Sequence, residues 1–344
     1  MNSQPAMLDD CRVLPISLGA NWVYALPAAD PARDGILLVD AGPDYDGAWE
    51  ALTAQLEAAG LTPDDVRTVV VTHAHIDHCG LARRWQEMGA EVVGSAAEVE
   101  RFAQGDRVVR YQEDLIDGLL REAGFPDERR EEALRRRRRA GRSKQDAARD
   151  RWPAVLRGTP FAPDRALEDG DVLTIGERQL RFVAAPGHTP GNAVCLEEAS
   201  GSLFSGDQLL PRITPNPGIH FLRPDERFRG LPGYTRSLER IATLGAEHLY
   251  PGHGEPRQTP VGQAIRWTLA RHTQRRDRLL RCLRDGPLTP YELLLQFFRP
   301  RPDARLLPAF AEVQGHIDVL LERGEIVEEQ SEGAVQVRLA GATG

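Results

Sequence analysis

Cysteine is scarce in this chain of 344 residues, which has four, at positions 11, 79, 195 and 282. None of them forms a CxxC pair, so the sequence predicts neither a disulfide framework nor a zinc site built from thiolates. Apolar runs of membrane-spanning length are also missing, and residues 1–10 lack the basic-then-apolar pattern of a secretory signal. We therefore expect a cytoplasmic protein without a membrane partner.

Two common catalytic motifs are absent as well, namely the Gly-x-Ser-x-Gly elbow and the P-loop. A net charge of -8 disfavours a nucleic-acid partner, because neutralising phosphates supplies most of the affinity for nucleic acids. With 41% hydrophobic residues, the chain is long enough for one large domain and a small one. The expected partner is therefore a small-molecule substrate.

Histidine is concentrated in residues 72–78, directly after an apolar run. His73 and His75 are two residues apart, so an extended backbone would point both side chains toward one ion. Imidazole and carboxylate groups together suit zinc and its neighbours. Asp77 and His78 point elsewhere, and a second ion would use them if other parts of the chain supplied further ligands.

Further ligand candidates each follow a short β-prone run that ends near glycine or proline. They are Asp40 after Ile36–Val39, His188 after residues 180–184, Asp207 after 202–205 and His253 after 247–250. Strand ends that lie side by side would bring these loops to one edge of a sheet. Glycine permits the positive φ and close backbone approach that such crowded loops require.

Taken in order, Asp40, the 73–78 block, His188, Asp207 and His253 resemble the five motifs of the metallo-β-lactamase superfamily, over residues 11–262. The resemblance implies an α/β fold, an αββα sandwich with the site along one edge. It also implies the roles of the ligands. The first metal would be held by His73, His75 and His188, and the second by Asp77, His78 and His253, with Asp207 bridging the two and Asp40 supporting the site from behind.

The resemblance implies two divalent metal ions, with zinc as the first choice and manganese or iron as alternatives. A water that bridges two such ions becomes hydroxide near neutral pH and attacks an electrophilic carbonyl or phosphorus. Asp77 is first a ligand, and it is also the predicted catalytic residue that orients the hydroxide or shuttles its proton. The expected enzyme is thus a metal-dependent hydrolase of the dinuclear zinc type.

The substrate is left open between three classes, because a fold alone does not decide chemistry. A thioester or lactone suits the full ligand set and an enclosing cover. A metal-dependent endoribonuclease is the first alternative, and a mononuclear iron persulfide dioxygenase is the second. Hydrolysis of β-lactams is disfavoured by the missing export signal and by the extra C-terminal region.

Residues 97–160 form a predicted helical insertion within the catalytic domain, which we place at residues 1–260. Apolar spacing indicates helices at residues 98–102 and Glu113–Glu122, followed by the basic run 135–139. The insertion would cover the metal cleft. Its arginines would either recruit an anionic substrate or pair with nearby acids, and we favour pairing. The acids in question are Glu131, Glu132, Asp146 and Asp150.

The proline-rich stretch 210–218 follows Asp207 and must be a loop beside the metals. Loops next to a scaffold site tend to carry function. Arg212, Asn216 and His220 are therefore candidate substrate contacts.

Residues 261–344 change to helices followed by a hairpin, the outline of a winged helix. Similar small domains accompany a lactamase-β-like subgroup of the same superfamily. The third helix and the hairpin are rich in acids, which would repel phosphates. These acids are Glu312, Asp318, Glu322, Glu325, Glu328, Glu329 and Glu332. We expect this domain to pack on the catalytic domain or to mediate a homodimer.

Overall fold

The computed structural model describes residues 12–105, 112–139, 156–298, 305–331 and 333–341. Cys11, Asp146, Asp150 and Glu332, on which expectations were stated above, lie outside these ranges, as does the side chain of Arg139. Within the described ranges, no helix combines the length and the apolar character needed to cross a bilayer.

The first sheet has six strands in the order β1-β2-β3-β4-β5-β6. They are β1 (Leu14–Leu18), β2 (Asn21–Pro27), β3 (Ile36–Val39), β4 (Val66–Val71), β5 (Glu91–Ser95) and β6 (Arg165–Leu167). β1 to β3 pair antiparallel, and β3 to β6 pair parallel. Because β3 and β4 are parallel, the residues after both strands reach the same edge.

The second sheet has five strands in the order β13-β10-β9-β8-β7. They are β7 (Val172–Ile175), β8 (Arg178–Ala184), β9 (Ala193–Glu197), β10 (Ser202–Gly206) and β13 (His248–Pro251). β9 pairs antiparallel with both β8 and β10, and β10 pairs parallel with β13. β8, β10 and β13 therefore run in one direction, and their ends share an edge. Two hairpins complete the strands, β11 (His220–Arg223) with β12 (Glu226–Phe228), and β14 (Ile326–Ser331) with β15 (Ala334–Leu339).

Eleven helices occur in the described residues. They are α1 (Pro31–Asp34), α2 (Ala48–Ala58), α3 (Ile76–Cys79), α4 (Ala82–Glu87), α5 (Val99–Gln104), α6 (Glu113–Glu122), α7 (Asp127–Arg139), α8 (Gly230–Ile241), α9 (Val261–Cys282), α10 (Pro290–Phe297) and α11 (Leu306–Glu322). The predicted helix at residues 98–102 is confirmed as α5, which starts one residue later, after a 3₁₀ turn. Thr289 caps α10 through a reciprocal pair of hydrogen bonds with Glu292.

The two sheets face each other across a buried apolar layer. Leu37 and Val70 of the first sheet belong to the same cluster as Phe182, Phe204 and Tyr250 of the second. On the outer faces, α2 and α4 pack on the first sheet, and α8 and α9 pack on the second. This order of layers confirms the predicted αββα sandwich.

The helices of the insertion share a core with the C-terminal region. Leu120 of α6 and Leu294 of α10 are fully buried in one cluster with Phe310 of α11. Phe125 connects the two regions, with ring centroids 4.4 Å from Tyr291 and 5.0 Å from Phe310. The domain division at residue 260 stays a prediction, but α6 and α7 pack with residues that follow it.

Two arginines of the basic run in α7 form ion pairs, in line with the favoured interpretation. Arg136 lies 2.6 Å from Glu132, one of the predicted acidic partners. Arg138 pairs with Glu113 of α6, a partner 25 residues away that helical spacing did not indicate. Exposed pairs of this kind contribute little stability individually, so the run is mainly a solvated, charge-compensated surface.

The expectation of an acidic, phosphate-repelling face on α11 is wrong for its two central acids. Glu312 and Asp318 are 6% and 1% exposed. Asp318 accepts hydrogen bonds from Arg227 of β12, and Glu312 lies 2.9 Å from Arg275 of α9. Helix α11 also packs on α8. The carboxylates therefore hold α11 against the rest of the protein, which is the packing that the sequence predicted.

Candidate metal centre

Five strand ends converge at one edge of the sandwich, and each carries a predicted ligand or its support. The first sheet contributes Asp40 after β3 and residues 72–79 after β4. The second sheet contributes His188 beyond β8, Asp207 after β10 and His253 after β13. Backbone hydrogen bonds connect the two sheets near this edge, from Ala193 N to Thr72 O and from Trp22 N to Gly252 O, both 3.0 Å.

Three histidines form the first group of possible ligands. His75 Nδ1 lies 3.0 Å from His73 Nε2 and 2.9 Å from His188 Nε2. All three rings are within 5.0 Å of one another, centroid to centroid. Three ring nitrogens that point at a common volume match the donor set of a zinc-type ion. The structure thus brings together the three residues predicted for the first metal.

In three of the site's histidines, the ring nitrogen that points away from the cleft has a hydrogen-bond partner in the protein. His188 Nδ1 donates to Asn216 O at 2.9 Å, and His253 Nδ1 donates to Ala20 O at 2.7 Å. His73 Nδ1 lies 3.1 Å from Thr72 Oγ1. Hydrogen bonds at the outer nitrogen fix the ring and leave the inner nitrogen as an acceptor, which is how proteins prepare histidines for metals.

Asp77, His78 and His253 form the second group, and their ligand atoms lie within 4.8 Å of one another. Asp77 Oδ2 is 3.2 Å from His253 Nε2. Asp207 lies between the groups: one carboxylate oxygen is 3.5 Å from His78 Nε2, and the other is 3.5 Å from both His188 Nε2 and His253 Nε2. Asp207 is therefore near ligand atoms of both groups.

The two groups differ in electrostatics. Burial and neighbouring histidines lower the pKa of His73 and lower that of His75 to about 3, so the first group is neutral. Burial alone would also lower the pKa of His78 and His253. Nearby carboxylates outweigh it, and they raise the pKa of His78 to about 10 and that of His253 to about 12. Burial thus dominates the electrostatics of the first group, whereas carboxylates dominate those of the second.

Asp40 supports His78 from the side away from the cleft. Its Oδ2 lies 2.7 Å from His78 Nδ1, and its Oδ1 accepts a hydrogen bond from the backbone N of Thr72 at 2.8 Å. Asp40 has a φ of 64°, which is uncommon for a residue other than glycine. Strained backbone of this kind is kept where the surroundings fix it and is frequent at functional sites.

Gly252 shows why the ligand loops contain glycine. A Cβ at this position would lie 2.5 Å from His78 Cε1 and 2.7 Å from Asp207 Oδ1. Any larger residue would push apart two of the predicted ligands. The glycine beside His253 is thus required for the packing density of the site.

The candidate substrate contacts in the proline-rich loop take different positions. Arg212 is exposed. Asn216 Nδ2 donates to Pro308 O of α11 at 2.7 Å, and its Oδ1 accepts from Gly218 N at 2.9 Å, so the side chain shapes the loop. His220 is buried, with Nε2 3.3 Å from His188 O. A role of these residues in substrate binding stays a prediction.

Sequence reasoning missed a cationic group beside the first histidines. Burial lowers the pKa of His220, and the guanidinium of Arg101 lowers it further and contributes to the low pKa of His75. Arg101 lies 2.9 Å from Glu98, which is fully buried and accepts a hydrogen bond from Gly191 N. Arg101 pairs with a residue three positions earlier, but the apolar pattern of α5 did not indicate that this pair lies near the histidines.

The buried atoms of the site fit divalent metal ions. Among the described residues, His78 Nε2 and Asp207 Oδ1 are buried without a hydrogen-bond partner, and they lie 3.5 Å apart. Buried polar atoms are rarely left unpaired unless a ligand or an ion completes them. Imidazole and carboxylate together, with outer nitrogens already bonded, form a donor set for zinc or a similar transition metal.

Comparison with known proteins gives matches along most of the chain. The model of the metallo-beta-lactamase superfamily matches residues 29–253. The chain is 30% identical over 308 residues to "Probable metallo-hydrolase YqjP" of Bacillus subtilis (strain 168), covering 89% of each. It is 29% identical over 230 residues to "Acyl-coenzyme A thioesterase MBLAC2" of Gallus gallus, covering 63% of this chain and 68% of that protein. The crystal structure of a metallo-beta-lactamase family protein from Thermus thermophilus has a TM-score of 0.72 and 30% identity, covering 97% of this chain and 100% of that one.

Proposed function

This chain is a metallo-hydrolase that belongs to the metallo-β-lactamase superfamily, and from that premise we propose that it hydrolyses a thioester or a lactone with two divalent metal ions. The position of Asp207 carries the proposal. Its carboxylate is 3.5 Å from His188 Nε2 in one group of ligands and from His253 Nε2 in the other. A lone ion would need neither this bridge nor so many ligands.

The residues that would hold the ions are those whose ligand atoms face the cleft. His73, His75 and His188 would hold the first, and Asp77, His78 and His253 the second, with Asp207 shared. When bound, such ions supply a water of lowered pKa and polarise the carbonyl that it attacks. Zinc is the proposed metal, and manganese or iron would use the same donors.

The protein's own groups position the reaction. Asp77 has an ionised carboxylate, because His78 and His253 lower its pKa despite its burial. Next to His253 Nε2 at 3.2 Å, Asp77 can accept and pass on a proton at the cleft. Asp40 keeps His78 in place, and the Asn216 carbonyl keeps His188 in place. These fixed orientations reduce the reorganisation needed during reaction.

A thioester with an anionic group is the substrate that we favour. Arg101 carries positive charge close enough to His75 and His220 to contribute to their lowered pKa. Burial, with a smaller effect of Arg101, lowers the pKa of Arg137 on α7. An anionic carrier on the substrate would suit that charge. The Gallus gallus relative is named for hydrolysis of acyl-coenzyme A, a thioester of this kind.

A substrate panel combined with metal analysis tests the proposal. Protein purified without chelator would be assayed for metal content and for turnover of acyl thioesters, lactones and single-stranded RNA. We expect two zinc-type ions in the cleft and hydrolysis of a thioester or lactone. RNA cleavage alone would establish the endoribonuclease instead. A single iron with persulfide oxidation would establish the dioxygenase.

A further inference from the structure

A second cluster of metal-ligating side chains, none of them a ligand candidate of the cleft, lies where α9 meets α11. His272 comes from α9, while Glu312 and His316 come from α11, four residues apart and therefore on one face of that helix. One ligand atom from each lies within 4.8 Å of the others. Their exposed fractions are 8%, 6% and 1%.

His272 has no hydrogen-bond partner at either ring nitrogen among the described residues. A neutral imidazole carries one donor and one acceptor, so a buried ring with both unpaired is unusual and calls for a ligand. Two neighbours share this property within the same described ranges. Tyr234, whose ring contacts His272 edge-on at 5.6 Å, has an unpaired hydroxyl, and so does Thr268, one helical turn before His272.

We propose that His272, Glu312 and His316 bind a divalent cation of the zinc type, separate from the ions of the cleft. Two imidazoles and one carboxylate are a common zinc donor set, which leaves a fourth position for water or another oxygen. Glu312 Oε1 and His316 Nε2 are already 3.1 Å apart. Tetrahedral zinc with bonds of about 2.0–2.1 Å separates its ligand atoms by roughly 3.4 Å, so Glu312 and His316 are near ligand spacing. The ligand atom of His272 lies within 4.8 Å of both and would move closer when the ion binds.

Burial is the main influence on the charges of this cluster. With a contribution from the nearby His316, it lowers the pKa of His272 to about 4. Burial alone would raise the pKa of Glu312. The hydrogen bond with His316 and the charge of Arg275 outweigh burial and lower it, so the carboxylate is ionised.

Arg275 is the group that competes with a cation. Its Nη1 lies 2.9 Å from Glu312 Oε1 and donates to Thr214 Oγ1 at 2.6 Å. Glu312 Oε1 is thus shared between Arg275 and His316. When a cation takes this oxygen, the guanidinium keeps Thr214 as a partner. Removing the positive charge of Arg275 should therefore strengthen cation binding, the opposite of what a purely structural cluster would show.

Zinc content of the full-length protein tests the site. The parent, His272→Gln and His316→Gln would be saturated with Zn²⁺, freed of excess by gel filtration and measured by mass spectrometry of the metal. We expect each variant to hold one zinc ion fewer per chain than the parent, however many the cleft holds. His248→Gln, on strand β13, is the matched control and should keep the parent's content. Equal zinc in the parent and both variants would overturn the proposal.

A second variant keeps the test decisive if the histidine variants fail to fold. Arg275→Gln should bind this zinc about tenfold more tightly in competition with a chelator, because a like charge next to the ligand oxygen is gone. Unchanged or weaker binding would overturn the proposal. The Asp207→Ala variant distinguishes this site from the cleft. It should lower the metal content of the cleft, whereas adding His272→Gln to it should still remove one zinc ion per chain.

Discussion

Asp40 connects the ends of two parallel strands and holds His78 at the same time. One carboxylate oxygen lies 2.7 Å from His78 Nδ1, and the other accepts from Thr72 N at 2.8 Å. His78 is fully buried, and its Nε2 faces Asp207 at 3.5 Å. The direction of this predicted ligand is therefore set by a residue from the neighbouring strand end.

Replacing Asp40 with asparagine should weaken metal binding without removing a ligand. The amide keeps the size but loses the charge that favours the Nδ1–H form of His78, and such supporting partners typically account for about 10–100-fold in metal affinity. Competition with a chromogenic chelator measures the effect. Asp225→Asn, on the exposed turn between β11 and β12, is the control and should match the parent. Equal affinity in all three proteins would show that Asp40 does not orient His78.

Asp207→Ala should have the largest effect on activity of any single change outside the histidines. Its carboxylate contacts both groups of ligands, so we expect kcat/KM to fall by at least about 100-fold, or roughly 2.7 kcal/mol of transition-state stabilisation. Arg138→Gln, on the insertion, should change kcat/KM by no more than about twofold, since it removes an exposed ion pair. A greater loss in Arg138→Gln than in Asp207→Ala would contradict the proposed bridge.

The exposed arginines of α7 should be dispensable for hydrolysis. Glutamine at Arg135, Arg136 and Arg138 should leave thioester or lactone turnover within about tenfold, at most roughly 1.4 kcal/mol. Arg137 is left in place, because it is largely buried near Glu113 and Arg101. RNA cleavage should be slow or absent in the parent. Efficient cutting of single-stranded RNA that collapses in the triple variant would favour the nuclease instead.

The shared core of the insertion and the C-terminal region predicts joint unfolding. Leu120→Ala in α6 and Leu294→Ala in α10 each empty a fully buried position and should lower the free energy of unfolding by about 2–5 kcal/mol. Hydrogen exchange should then rise in α6–α7 and in α9–α11 together, in either variant. Leu222→Ala, 49% exposed on β11, should stay within about 0.5 kcal/mol of the parent. Exchange limited to the mutated region would show that the two regions open separately.

The residues of the site were predictable because their signal is local. Each follows a short apolar run within a few residues, near glycine or proline, and the order of the motifs indicated the family. The cap of α10 was also readable, since Thr289 and Glu292 are three residues apart. Local spacing in the sequence therefore predicted which side chains lie at strand ends. Their assignment to individual ions stays a prediction.

Long-range pairing was not predictable from the same patterns. Asp318 was expected on an exposed face, but its partner Arg227 is 91 residues earlier in the chain. Glu98, which pairs with Arg101, accepts from Gly191, 93 residues later. The pairing of α6 with α10 has the same origin. The hydrophobic periodicity of a helix or strand indicates which of its residues are buried together. Which other element packs against that face depends on the whole fold.

The supply of ligands from both sheets has a consequence for how the enzyme matures. His73 and His75 follow a strand of one sheet, while Asp207 and His253 follow strands of the other. Neither half of the nascent chain can therefore assemble the complete set, and high metal affinity arises only once the sheets have docked. Ions held by ligands from both sheets would link the two halves of the sandwich, so withdrawing metal should loosen the contact between them.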